Sequence, residues 1–539
     1  MAGLGKASAN VAAGTLASRI TGLLRNIVLT AAVGLVGAEA ADAFGAANQM
    51  PNTMFTLISS GLLAGVIVPQ IVRAVKNHED RGSAYVSKLL TLGVVVLAAA
   101  TAIAMIAAPV LVEIYVGQFD NPQAKALTLA LAYWCLPQLL FYGLYALVGE
   151  ILNARRIFGP YAWSPIVNNV VSILGFGVFI VLFGTYEDAT GWTPVMIALM
   201  GGTATLGIVV QAGILFLFWR RAGLHVRPDF RWRGIGLRDV GRLAGWTFLM
   251  VVAGQIAGAV QANIVSAASG PAAANATLQY AWLLFMLPFS VIVISLGTPY
   301  YTKLSEHVAA GRTDAVTADL GSLTRTVGLF MVGILAAMLA AIIPLSRIFT
   351  GDTEEAIQFG LVLAAYLIAL LPLSFQFGIQ RTFYALGDTR TPFFYTLVQA
   401  VLVTLSALAA GLLNDLGVLP LMWLAVAVAL GQSVANVVQF GLALTLLRRK
   451  IGPLGLGGAA RSILRFVAAG IPAAAAGIGV FVVFGGTGGW MLADRFVAFF
   501  AAAFIGGVSL LVYVAFLALF RAPELRAAGA TLRRFLPGR

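Results

Sequence analysis

The run Leu89-Leu-Thr-Leu-Gly93-Val-Val-Val-Leu97-Ala-Ala-Ala-Thr101-Ala-Ile-Ala-Met105-Ile-Ala-Ala-Pro109-Val-Leu-Val112 carries no charge between Lys88 and Glu113. As a helix rising 1.5 Å per residue it is about 36 Å long, enough to cross a hydrocarbon layer of about 30 Å. Outward from it the same signature recurs along the chain. Of the 539 residues, 60% are hydrophobic and 10% charged, against about 45–50% and about 25% in a soluble domain. The 59 glycines and 33 phenylalanines suit helices packed closely in lipid. The sequence therefore predicts an all-α polytopic membrane protein with fourteen transmembrane helices. They lie at roughly 9–33, 44–72, 89–116, 126–152, 160–184, 194–219, 240–267, 276–300, 322–348, 355–380, 392–414, 417–446, 462–485 and 496–520.

The loops orient these spans. With the N-terminus in the cytoplasm, 29 of the 34 Lys and Arg residues fall on the inner side, including seven arginines between Arg220 and Arg242. Only Lys125, Arg347 and Arg495 fall outside, while Arg19 and Arg25 lie inside the first span. This bias places both termini in the cytoplasm of a cytoplasmic (plasma) membrane. It also accounts for the formal charge of +13 without nucleic acid. The outer loops are acidic: Asp120, Glu187-Asp188, Asp352, Glu354-Glu355, Asp415 and Asp494. No cleavable signal is expected, because the first apolar run holds two arginines and continues into a many-span chain. The single cysteine, Cys135, lies in an apolar run, and His78, His225 and His307 are assigned to loops. Disulfides, a metal site and Ser/His or Cys/His chemistry are thereby left without material.

Spans 1–6 and 7–12 resemble two copies of one unit. Pro69-Gln-Ile-Val-Arg73 after span 2 matches Pro299-Tyr-Tyr-Thr-Lys303 after span 8. Leu152-Asn-Ala-Arg-Arg156-Ile-Phe-Gly-Pro160 likewise matches Phe383-Tyr-Ala-Leu-Gly-Asp388-Thr-Arg390-Thr-Pro392. Six helices per copy make the repeat parallel, with its pseudo-twofold along the membrane normal, as in transporters whose halves rock about a central site. The expected organisation is an N-lobe over 1–219, a basic cytoplasmic linker over 220–239 and a C-lobe over 240–447. An appended helix pair follows over 448–520, then a basic tail over 521–539.

Arg19 and Arg25 are placed about 14 and about 22 Å along the first span. An arginine at a helix centre costs about 2.5–3.5 kcal/mol on insertion scales, so it should face a polar cavity or a partner. Arg19, Gly22 and Asn26 share a face by the i, i+3, i+7 rule, with Arg25 about 120° away. Two guanidiniums beside a small residue suit an anion, and a diphosphate would engage both bidentately. The alternative is an internal ion pair between Arg25 and Asp42, with Glu39 nearby; the two arrangements could alternate as an outer gate. Among the membrane amides, Asn52 and Gln255 are further candidates for cleft contacts. Mid-membrane carboxylates are absent, which weakens a proton relay.

Ser18-Arg19-Ile-Thr-Gly22-Leu-Leu-Arg25, Ala41-Asp42-Ala-Phe44, Met50-Pro51-Asn52 and Gly61 to Pro69 resemble the MurJ (MviN) family. So do Ile151-Leu-Asn153, Leu296-Gly-Thr298 and the 383–392 run. That family comprises lipid II flippases, in a superfamily with multidrug and polysaccharide exporters. The resemblance implies two six-helix lobes around a cationic cavity, whose arginines fall on Arg19 and Arg25 and whose acid falls on Asp42. It also implies a groove for the lipid tail along the last two helices. The chain departs where many members carry arginines: Phe55-Thr56 in span 2, and Tyr280-Ala-Trp282 to Pro288 in span 8.

The expectation is a bacterial flippase, not an enzyme, moving an undecaprenyl-diphosphate-linked muropeptide (lipid II) from the inner to the outer leaflet by alternating access. Its expected partners are that lipid, membrane lipids and, as an open option, cell-wall synthesis or division proteins. No bound cofactor or metal is expected; Na⁺ or H⁺ coupling, with Asp239 the nearest carboxylate for Na⁺, or the membrane potential alone, remain alternatives. The competing functions are export of another polyprenyl-diphosphate-linked glycan or of an amphiphilic drug, a membrane-embedded glycosyltransferase, and a non-transporting scaffold. A glycosyltransferase needs an interfacial acidic cluster, for which Glu187-Asp188 and Glu354-Glu355 are the candidates.

Overall fold

A computed structural model describes residues 2–62, 83–155, 157–223, 226–231 and 237–525. The loop with Pro69 and Arg73, linker residues 224–225 and 232–236, and the tail after Leu525 lie outside these, as does the Asp239 side chain. The described residues form helices and their connections, with no strand among them. Thirteen helices among the described residues are long and apolar enough to cross a membrane. The remaining expected span, 44–72, begins as the helix Glu39–Leu62. Its polar residues, among them Asp42, Asn48, Gln49 and Asn52, keep it below that apolarity. The other thirteen expected spans each find their helix, so the all-α reading holds.

The chain divides into two compact units, Met1–Gly270 and Pro271–Arg539. In the first, α1 (Ala2–Val33), α2 (Glu39–Leu62), α3 (Ser83–Ile106), α4 (Ala108–Val116), α5 (Pro122–Cys135) and α6 (Gln138–Ala154) are followed by α7 (Gly159–Phe183), α8 (Pro194–Phe216) and α9 (Leu237–Ser266). In the second, α10 (Asn275–Pro288) passes through a π turn at Phe289–Val293 into α11 (Ile294–Ala309). Then come α12 (Thr313–Ala340), α13 (Ile342–Arg347), α14 (Thr353–Leu367), α15 (Leu370–Ala385), α16 (Arg390–Asp415), α17 (Leu424–Ile451), α18 (Gly457–Val483) and α19 (Arg495–Leu519). The seventh span, α9, thus packs as part of the first unit, against α2 and α4.

Proline decides where the spans break. A proline lacks the N–H that would bond the carbonyl four residues earlier, and its ring crowds that carbonyl. The interruptions at Ala107, Leu136, Ala341 and Ile368-Ala369 each fall within a turn before Pro109, Pro137, Pro344 or Pro372. Pro288 ends α10 at the π turn. Pro51 and Pro165 instead sit inside continuous helices.

Side-chain caps start several helices. Asn121 Oδ1 accepts from Gln123 N at 2.9 Å, and Asp494 Oδ1 from Phe496 and Val497 N at 2.8 Å. Asp352 Oδ1 accepts from Glu355 N at 2.9 Å while Glu355 Oε2 accepts from Gly351 N at 2.8 Å, a reciprocal cap. These acids satisfy N–H groups that a helix start leaves free and sit favourably at the positive end of its dipole. Helix α7 lies so close to α8 that a Cβ at Gly175 would fall 2.4 Å from Thr203 Cβ.

Candidate functional site

Helix α1 packs along α7, and this contact decides which of its polar residues are free. Asn169 Nδ2 donates to Ser18 O and Thr21 Oγ1, both at 3.0 Å. A Cβ at Gly22 would lie 3.5 Å from the same amide. Gly22 therefore faces a neighbouring helix, and its smallness serves that approach. Arg19 is exposed, and among the described residues it makes no hydrogen bond or ion pair.

Arg25 is half-buried, and its Nε and Nη2 donate to Asn26 Oδ1 at 3.3 and 3.1 Å. Asn26 is only 5% exposed. The sequence offered Asp42 as the partner of Arg25, but the structure gives each a different one. Asp42 is fully buried and accepts a hydrogen bond from Ser269 Oγ at 2.7 Å. Among the described residues no carboxylate pairs with Arg25, and the amide shares a proton with it without neutralising it.

Glu39 is also taken by other groups. Its Oε2 accepts from Asn121 Nδ2 at 2.7 Å and from Ala189 N at 3.2 Å. Ala40 N donates to Glu187 O at 2.9 Å, Gln118 N to Ser266 Oγ at 3.2 Å, and Asn263 Nδ2 to Glu113 O at 3.0 Å. Gly37, with φ +69°, approaches Gly270 O so closely that a Cβ there would lie 2.9 Å from it. The start of α2 is thus tied to the α4–α5 turn and the α7–α8 loop through Glu39, and to the end of α9 through Asp42. Both Glu39 and Asp42 have protein partners. Ser269 and Asn121 lie in loops where hydropathy gives no signal, so the sequence did not single them out. Asn169, an amide within a span, carried the same signal as Asn48 and could have been found.

Farther along α2, Asn52 is exposed and its carbonyl accepts from Thr56 Oγ1 at 2.8 Å. Gln255 is half-buried, with Nε2 3.4 Å from Thr53 O, a bridge between α9 and α2. The site residues therefore do not converge on one point: Arg19, Arg25 and Asn26 stand together on α1, Glu39 and Asp42 in the joint, and Asn52 and Gln255 on the α2–α9 face. At the departures from the family pattern the structure places aromatic stacking. Phe55 stacks on Tyr142 with centroids 5.9 Å apart, and Trp282 meets Tyr366 at 5.3 Å.

Several cations expected on the inner side belong to helices. Arg325 lies within α12 and Arg381 within α15, and both are half-buried. His307 is in the last turn of α11 with Nδ1 3.0 Å from Asp319 Oδ2, not in a loop. Asp388 pairs with Lys450 Nζ and accepts from Thr391 N and Oγ1 at 2.9 and 2.7 Å. Partial burial alone would raise the Asp388 carboxyl, but Lys450 and the Thr391 donors outweigh it and hold it below the ordinary aspartate value. Arg347, 7% exposed, donates to Leu492 O at 3.1 Å, Thr350 O at 2.6 Å and Ala493 O at 3.5 Å. Among the described residues no three His, Cys, Asp or Glu side chains gather as metal ligands would.

The family model for the lipid II flippase MurJ matches residues 33–499. The chain belongs to that family. It is 27% identical over 453 residues to a probable lipid II flippase MurJ of Rhizobium tropici, covering 81% of this chain and 80% of the relative. Against the Rickettsia prowazekii protein of the same name it is 27% identical over 441 residues, 79% of this chain and 80% of the relative. Among solved structures, a lipid II flippase MurJ in an inward closed conformation superposes with TM-score 0.71 at 18% identity, over 95% of this chain and 98% of that one. An inward-facing multidrug transporter of the MATE family superposes with TM-score 0.62 at 15% identity, over 81% and 95%. The MurJ family is one of lipid II flippases acting in peptidoglycan synthesis, so the chain is a multi-pass membrane transporter of the bacterial inner membrane and not an enzyme. The acidic pair that a glycosyltransferase reading required is accounted for at Glu355 by its helix cap.

Proposed function

We propose that this chain carries lipid II from the inner to the outer leaflet by alternating access, using Arg19 and Arg25 to hold the diphosphate. The observation that carries the assignment of site is the state of the two arginines. Both lie on a membrane-spanning helix; among the described residues Arg19 has no protein partner and Arg25 hydrogen-bonds only an amide. An unneutralised guanidinium in a membrane helix is costly unless water or an anion meets it, and the fork of N–H groups fits phosphate oxygens bidentately. Asn26 orients Arg25, while Gly22 lets α1 pack on α7 at that depth. Asn52 and Gln255 supply amides along the α2–α9 face.

Both termini are placed in the cytoplasm by the loop charges, which makes the joint around Glu39 and Asp42 its outer closure. The two six-helix lobes, 1–219 and 240–447 joined by the 220–239 linker, would rock, with α9 leaving its packing against α2 and α4 as the outer side opens. Helices α18 and α19, in the 448–520 segment, would carry the lipid tail. Leu464, Ile471, Ile478 and Val482 on α18 recur at helical spacing and are 45–70% exposed, which supports an apolar path; the 521–539 tail would lie on the inner leaflet. Outward movement of a net anion is favoured by a potential negative inside, worth about 2.3 kcal/mol per charge per 100 mV, so the potential can drive the cycle without Na⁺ or H⁺. Membrane lipids surround the protein, and cell-wall synthesis or division proteins are further partners on this reading.

The test is depletion of the resident flippase with complementation, following lipid II in the inner leaflet. Wild type is expected to clear it, and Arg19→Ala and Arg25→Ala to fail at equal membrane abundance. Rescue by both variants would remove the diphosphate site, and failure of wild type would remove the substrate.

A further inference from the structure

Arg381 is half-buried within α15, about 6 Å from the C-terminal end of that helix. Among the described residues it has neither a carboxylate within ion-pair distance nor a hydrogen-bond acceptor. Its guanidinium carbon instead lies 4.9 Å from the centroid of Phe377 and 5.3 Å from that of Tyr301. Ring faces attract such a cation, and guanidinium is hydrated weakly enough to accept the partial burial. They do not satisfy its five N–H donors.

This arrangement is built by two helices in register. Phe377 and Arg381 are four residues apart on α15, and Gly297 and Tyr301 four apart on α11, so each pair shares a helix face. A Cβ at Gly297 would fall 2.2 Å from Phe377 Cε1; glycine there is what lets the phenyl ring lie against α11. Phe289, opening the π turn, meets the same ring edge-to-face with centroids 6.1 Å apart. One turn beyond Phe377, Gln380 Nε2 donates to Tyr384 Oη at 2.9 Å, which leaves the phenol proton of Tyr384 to donate elsewhere. The cluster therefore offers a pinned guanidinium fork and a hydroxyl donor, and among the described residues no carboxylate pairs with the fork. A phosphate group matches that set, because its oxygens can take the fork bidentately and accept the hydroxyl as well.

We propose that Arg381, seated on Phe377 and Tyr301, is a phosphate contact for the diphosphate of the lipid-linked substrate on the inner side of the second unit, separate from Arg19 and Arg25. This rests on the flippase reading above and adds a binding residue to it. Phosphate chemistry at this depth is also offered by the headgroups of anionic glycerophospholipids, and the experiment separates the two sources.

Full-length protein in nanodiscs is titrated with undecaprenyl diphosphate and, separately, with phosphatidylglycerol, for wild type, Arg19→Ala, Arg381→Gln, Arg381→Lys and Phe377→Leu. Thermal unfolding midpoints confirm that each variant is folded. Arg381→Gln is expected to weaken the diphosphate lipid about tenfold, a loss of about 1.4 kcal/mol, with phosphatidylglycerol unchanged. Arg381→Lys keeps the charge but not the fork and recovers only part. Phe377→Leu removes the ring beneath the cation and loses a few-fold. Undiminished diphosphate binding by Arg381→Gln overturns the proposal, as does equal loss of both lipids, which would assign the site to bilayer headgroups. If wild type and Arg19→Ala both bind no diphosphate lipid, the flippase site reading fails and takes this one with it. Retained wild-type binding that Arg19→Ala weakens and Arg381→Gln does not would sink Arg381 alone.

Discussion

Arg347 and Arg25 are both removed from bulk water, yet the protein treats them in opposite ways. Arg347 spends its donors on three backbone carbonyls, at Thr350, Leu492 and Ala493, and joins the end of α13 to the turn before α19. Arg25 has one amide oxygen for two of its nitrogens, and Arg19, a turn and a half earlier, is exposed without a described partner. The comparison shows that placement near or within the membrane does not by itself mark an arginine as functional. What separates the two cases is whether the fold has already supplied the acceptors. A saturated guanidinium has no donor left to offer a ligand, and one with spare N–H groups has.

Substitution should split them along that line. The largest effect on stability is expected from Arg347→Ala, which orphans buried carbonyls and opens a void; about 3 kcal/mol is lost, seen as a lowered unfolding midpoint in detergent. If Arg347→Ala is as stable as wild type, saturation is not what defines the structural class. Arg25→Ala should cost under about 1 kcal/mol in the same assay while abolishing complementation. Next comes Ser269→Ala, which deprives the buried Asp42 carboxylate of a hydroxyl donor and is expected to cost about 2 kcal/mol. Accelerated hydrogen exchange at the start of α2 would place that loss in the joint.

The smallest effect is expected at the Asp388–Lys450 pair, where Lys450→Met should cost about 0.5–1 kcal/mol. The folded Asp388 carboxyl is held below its ordinary value of 3.8. Its contribution is therefore complete above that value and is lost as pH falls through the lower folded one. A pH titration of the unfolding midpoint should show wild type converging on Lys450→Met at acid pH, and parallel curves would contradict the pairing.

Local composition settled much of this molecule. An apolar run such as 89–112 has one way to satisfy its backbone in lipid, so the spans were legible, although the helices at 294–309 and 313–340 run nine residues past the expected bounds at 300 and 322. The charge bias of the loops was legible too, although its acidic half has a second cause: Asp352, Glu355 and Asp494 cap helices. Arg19 and Arg25 stood out because a cation in a membrane helix is costly and therefore rare. The partner of Asp42 did not, since that pairing depends on which residues distant in sequence come within about 3 Å. Asp42 was the carboxylate offered to Arg25, yet Ser269 meets it; Gly22 looked like room for a ligand and is the contact surface for Asn169.

Hydrophobic patterning acts through each segment's own solvation and can be read residue by residue. Hydrogen-bond saturation acts through neighbours, and here it alone decided which arginines are spent and which are free. The sequence by itself determined that the chain crosses the membrane many times and that cations stand inside its first helix. Only the tertiary structure decided that Arg347 is a structural clamp, that the start of α2 is tied down through Ser269 and Asn121, and that Arg381 rests on a shelf opened by Gly297.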